Sequence, residues 1–138
     1  MKILIDTNII LDILLSREPF IDNANKLITI IDRDNIQAFL TANSITDIVY
    51  IARKVYGYKD TRKMVLELIE IIDIIDVSKN DIINAFNLEI NDFEDALQCS
   101  CSEKEHIDLI ITRNINDFKN SNVNAIDIIN FISSYENK

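Results

Sequence analysis

Short apolar runs alternate along this chain with longer stretches in which apolar residues return every three or four positions. Lys2–Ile5 is an apolar run that stops abruptly at Asp6, the pattern of a strand buried on both faces. Ile9–Leu15 reads as a helix halted near Pro19, because a proline ring cannot continue one. Ile21–Arg33 sets Ile21, Ala24, Leu27, Ile28 and Ile31 on a single helical stripe. Ile36–Thr41 is a second strand. Ser44–Tyr56 and Lys59–Ile72 form a helical hairpin around Gly57. Ile74–Val77 is a third strand, followed by helices at Asp81–Leu88 and Asp92–Lys104. The strongly apolar Ile107–Thr112 is a fourth strand, and Val123–Ile126 with a closing helix at Asp127–Tyr135 ends the pattern. Strands alternating with helices predict an α/β fold, a parallel sheet flanked by helices on both faces in a Rossmann-like three-layer sandwich. Ligands in such sheets sit beyond the carboxyl ends of the strands, where strand order reverses.

Composition narrows the picture without supplying chemistry. With 138 residues, 48 % hydrophobic and 27 % charged, the chain is expected to be one globular domain spanning residues 1–138. One glycine and one proline exclude a glycine-rich phosphate loop and flexible linkers. Cys99 and Cys101 cannot build a disulfide framework, and their spacing in a helix turns them to different faces. Met1–Asp6 meets an acid too early for a signal peptide, and no apolar run is long enough to span a bilayer. The expectation is a soluble, cytoplasmic protein. Fourteen basic against twenty-three acidic residues leave a net charge of −9. That balance disfavours a sequence-blind nucleic-acid coat but suits an enzyme that holds metal ions with carboxylates.

Four acids fall where the strand-end rule looks: Asp6 after the first strand, Asp47 and Asp95 in first helical turns, and Asp117 just past the fourth strand. Four carboxylates in one cleft repel and raise one another's pKa, a conflict that a hard divalent cation such as Mg²⁺ or Mn²⁺ resolves. Each also has an ordinary reading. Asp6 could end a strand, Ser44-x-x-Asp47 has the form of a capping box, and Asp92-x-x-Asp95 has the form of an N-cap with its third-position acid. Asp117 could simply close a loop.

The blocks Leu4-Ile5-Asp6-Thr7-Asn8-Ile9-Ile10-Leu11-Asp12, Ser44-Ile45-Thr46-Asp47-Ile48-Val49-Tyr50, Asp92-Phe93-Glu94-Asp95-Ala96-Leu97-Gln98 and Ile111-Thr112-Arg113-Asn114-Ile115-Asn116-Asp117-Phe118 resemble, in order and spacing, those of PIN-domain ribonucleases. The resemblance spans nearly the whole chain. It implies a Mg²⁺- or Mn²⁺-dependent endoribonuclease that leaves a 5′-phosphate and a 3′-hydroxyl. Asp6, Asp47, Asp95 and Asp117 fall on the family's acidic quartet, with Asp6, Asp95 and Asp117 as implied metal ligands. The second acid is often Glu in the family, and Asp47 is one methylene shorter. Asn8, Thr112 and Asn114 are implied supporting groups, and Asp92 is a helix cap before it is an outer ligand. Stand-alone members of this size are often VapC-like toxins, which implies an antitoxin partner, an RNA substrate and a homodimer.

Arg53, Lys54, Lys59, Arg62 and Lys63 cluster at the hairpin turn, either as an RNA-backbone edge or as a solvated helix face. Arg113, beside Thr112, is a candidate phosphate contact or the ion-pair partner of an acid of the quartet. His106, the only histidine, fits a helix end better than a catalytic base. Tyr50 and Tyr56 are open to packing or base stacking. A phospho-receiver domain lacks its acidic pair near the first strand, and a haloacid-dehalogenase-type phosphatase lacks a second Asp because Asn8 stands there. A catalytically inactive PIN-like module that binds RNA or protein is the remaining alternative.

Overall fold

In a computed structural model, residues 1–136 are described and form five strands and six α-helices. The strands are β1 (Lys2–Ile5), β2 (Gln37–Thr41), β3 (Asp73–Ile75), β4 (Leu109–Thr112) and β5 (Ala125–Asp127). All neighbours pair in parallel in the order β3-β2-β1-β4-β5. The helices are α1 (Thr7–Leu14), α2 (Ile21–Arg33), α3 (Ala42–Ile71), α4 (Lys79–Asn87), α5 (Phe93–Lys104) and α6 (Ile128–Glu136). The three-layer α/β architecture expected from the alternation is the one observed.

Strand pleating explains why the central strands are apolar throughout. Ile3 and Ile5 of β1 point into one core with Ala38, Leu40 and Ile111, where α1, α2, α3 and α6 contribute Ile9, Leu27, Ile48 and Phe131. Leu4, Phe39 and Ile110 point the other way, into a second core with Ala85 of α4 and Ala96, Leu97, Cys99 and Cys101 of α5. Every residue of α5 from Ala96 to Ser102 is buried. Small side chains (Ala, Ser and Cys) permit that close packing. The two thiols are therefore core groups, and burial pushes the pKa of each up to about 11.

Where a helical hairpin was expected, α3 consists of two helical arms with a break at Gly57 (φ 79°, ψ 164°). This backbone region is essentially reserved for glycine. Gly57→Ala is therefore expected to destabilise the chain by about 1–3 kcal/mol, read by urea denaturation. Strain alone would cause the loss, since an added Cβ meets no atom within 4 Å. One element went unread in the sequence: a 3₁₀ turn, Ile115–Phe118, follows β4 and carries Asp117. No described helix is long and apolar enough to cross a membrane.

Candidate active site

Strand order reverses between β1 and β4, and polar groups gather beyond the carboxyl ends of these two strands. Asp6 leaves β1 with its N–H donating to Ile111 O at 2.9 Å, so sheet pairing fixes where its side chain emerges. Asp6 is only 5 % exposed. Thr112 Oγ1 donates to its Oδ2 at 2.9 Å and Gln98 Nε2 to its Oδ1 at 3.4 Å. Thr112 Oγ1 in turn accepts from the Asn114 N–H at 3.0 Å. Burial drives the Asp6 carboxyl above its ordinary range. Hydrogen bonds from Thr112, Gln98 and the Asn8 N–H oppose the rise, and the charge of Asp117 adds to it.

Asp95, half-buried in the first turn of α5, is pushed up to about 7. Burial is the largest cause, followed by the charges of Asp92, Asp6, Asp117 and Glu94. Asp117 is exposed and shares a pocket of about 290 Å³ with Asp92, Asp95, Asn116 and Lys119. Asp47 lies in a separate pocket of about 240 Å³, with Thr7, Asn8, Leu11, Tyr50, Ile51 and Glu94. Glu94 links the two groups. Burial raises its carboxyl, a hydrogen bond with Thr7 opposes the rise, and Asp47, Asp6 and Asp92 add to it. The structure thus places Asp6, Asp95 and Asp117 within one electrostatic cluster and sets Asp47 one pocket away.

The donors suit a hard cation: carboxylate oxygens, plus the buried Oε1 of Gln98, which has no hydrogen-bond partner among the described residues. As placed, no three His, Cys, Asp or Glu side chains among the described residues stand close enough to enclose an ion.

A family model described as PIN domain matches residues 2–116. The chain belongs to the PIN domain family. Its fold is similar to that of VapBC2 from Rickettsia felis, solved bound to a DNA fragment from the promoter, at 17 % identity over 92 % of this chain and 98 % of that one (TM-score 0.74). A toxin–antitoxin complex from Klebsiella pneumoniae matches at 20 % identity over 91 % of this chain and 96 % of that one (TM-score 0.69). VapBC-1 from nontypeable Haemophilus influenzae matches at 15 % identity over 94 % and 99 % respectively (TM-score 0.70). At these identities the likeness is one of fold. No curated protein matches the sequence significantly.

In this PIN domain the capping readings separate. Ser44 does not cap α3, which begins at Ala42 with Thr41 at its N-cap position. Ser44 is buried instead, its Oγ 2.8 Å from both Thr7 Oγ1 and Thr41 Oγ1, so Asp47 has no capping box to complete. Asp92 does cap α5, accepting from the Asp95 N–H at 3.0 Å. The full reciprocal box belongs to α4, where Ser78 and Asp81 satisfy each other's N–H groups.

The basic candidates also separate. Arg113 Nε donates to Asp12 Oδ2 at 2.9 Å, and its guanidinium lies 4.0 Å over the Phe20 ring. It pairs with an acid outside the quartet. Arg53 and Lys54 are exposed and lie over the ring of Tyr50. Asn8 is exposed and Asn114 acts through its backbone, whereas His106 follows the end of α5 with φ 55°.

Sequence reasoning missed three participants: Glu94, Gln98 and Asp12. Gln98 and Glu94 are four apart and Gln98 follows Asp95 by three, so helical spacing was a usable signal. Asp12 offered none, because its partner Arg113 lies 101 positions further along the chain.

Proposed function

We propose that this PIN domain is an endoribonuclease dependent on a divalent cation, Mg²⁺ or Mn²⁺, and that it is the toxin of a toxin–antitoxin pair. The observation that carries the reading is the acid cluster at the sheet's switch point, with Asp95 pushed up to about 7 by burial and its acidic neighbours. Asp6, Asp95 and Asp117 would hold the cation once their side chains draw together around it, and it would supply charge neutralisation and a more acidic water for hydrolysis of a phosphodiester. Thr112 and Gln98 keep the Asp6 carboxylate oriented, and the Asn114 N–H keeps Thr112 in place. Asp47 and Glu94 extend the negative charge toward the neighbouring pocket. The products are a 5′-phosphate and a 3′-hydroxyl.

A net charge of −9 favours a basic antitoxin segment as partner and limits loose RNA binding. The same reading places the protein in the cytoplasm as a homodimer, an interface that would cover exposed apolar side chains such as Ile83 and Phe86. The test is purified protein with mixed RNA, with Mg²⁺, with Mn²⁺ and with EDTA. Cation-dependent fragments bearing 5′-phosphates are expected. Cleavage unaffected by EDTA would overturn the metal mechanism, and RNA binding without cleavage would identify a catalytically silent module.

A further inference from the structure

We propose that the pocket between α1 and α3 is a nucleobase site, in which one unpaired base of the RNA stacks on Tyr50 and Lys54 and Arg53 meet its phosphate. This rests on the ribonuclease reading above and adds how that enzyme grips its substrate. The pocket holds about 240 Å³ and is lined by Leu11 and Ile51 on its apolar side, with Asn8, Asp47 and Glu94 supplying polar atoms. Tyr50 forms its aromatic wall and is 53 % exposed. The pocket adjoins the acid cluster, because Glu94 lines it while feeling the charge of Asp6.

The other tyrosines are placed differently. Tyr56 donates its hydroxyl to Leu14 O at 2.6 Å and ties α3 to the end of α1. Tyr58 is exposed on the far side of the Gly57 break, and Tyr135 lines a pocket with Met1 and Arg33. Tyr50 is thus the tyrosine that combines exposure with a wall of this pocket. Lys54 Nζ lies 4.0 Å and Arg53 Cζ 5.7 Å from its ring centroid. In a chain of net charge −9 these cations give the pocket rim a local attraction for phosphate. Aromatic stacking with a cation alongside is a recurrent way of holding single strands without reading sequence.

Anisotropy of a fluorescein-labelled single-stranded RNA in EDTA isolates binding from cleavage. Tyr50→Ala is expected to weaken binding about 5- to 100-fold, while Tyr50→Phe keeps it. Lys54→Gln should lower the salt dependence by about one phosphate contact. In a series of RNAs with one abasic nucleotide at successive positions, one position should weaken wild-type binding as Tyr50→Ala does, with no further loss in that variant. Equal losses by wild type and Tyr50→Ala at every position, or unchanged binding by Tyr50→Ala, would overturn the base site. Cation-dependent cleavage by the wild type would still leave the ribonuclease reading standing in that case. Absence of both binding and cleavage would overturn both.

Discussion

Asp6→Asn and Asp95→Asn are each expected to reduce RNA cleavage by more than about 100-fold while making the protein more stable. Both acids are held above their ordinary range, first by burial and then by like charges, so the folded chain carries them at a cost. An amide keeps nearly the same shape and removes the charge. For Asp95 the sign follows from its folded pKa of about 7 against an ordinary 3.8. Between those values the folded chain keeps a proton that the unfolded chain releases. The associated stability is complete below the lower value and is lost as pH rises through the upper one. Wild-type melting temperature should therefore fall between about pH 5 and pH 8, and Asp95→Asn should flatten that fall. After discounting for the solvent screening of a half-exposed group, a gain of about 1 kcal/mol at the higher pH corresponds to about 3 °C or more. Mg²⁺ or Mn²⁺ should raise the melting temperature of the wild type and have little effect on either variant. Calorimetry and a cleavage assay on the same samples decide the matter. A lowered melting temperature with cleavage intact would make these acids structural.

The fold was legible because two periodicities were clean. Ile3–Ile5 and Leu109–Ile111 are apolar at successive positions because both sheet faces are covered, and Ile21–Arg33 carries one stripe because only one of its faces meets the core. Boundaries moved where side-chain chemistry, not apolar pattern, ends an element. Ser44 has the composition of a cap and is in fact a buried hydroxyl shared with Thr7 and Thr41. The acids were legible as positions after strands and in first helical turns. Their division between two pockets was not, since it depends on how α1, α3 and α5 are placed around β1. Glu94 and Gln98 were visible as residues but lacked meaning until Asp6, 92 positions before Gln98, was known to face α5. Arg113 shows the same limit: its pairing with Asp12 spans 101 positions.

Arg113→Met is expected to destabilise the domain by about 3–5 kcal/mol, and Asp12→Asn by a smaller amount, about 1–3 kcal/mol. The asymmetry comes from burial. The Asp12 side chain is 1 % exposed, whereas that of Arg113 is 29 % exposed. Removing the arginine strands a carboxylate that water cannot reach, with Arg17 Nη1 left at 3.7 Å as its remaining cation. Removing the acid leaves an arginine that can rehydrate and still rest on Phe20. Urea denaturation of the two variants and of the double substitution measures both losses and their coupling. The pair joins α1 to the segment just after β4, between Thr112, which holds Asp6, and the turn bearing Asp117. Cleavage by Arg113→Met should therefore fall even at temperatures where the variant remains folded, while the salt dependence of its RNA binding stays that of the wild type. A reduced salt slope with unchanged stability would make Arg113 a phosphate contact. Equal losses from the two single substitutions would mean that Arg17 closes on Asp12 and takes over the pairing.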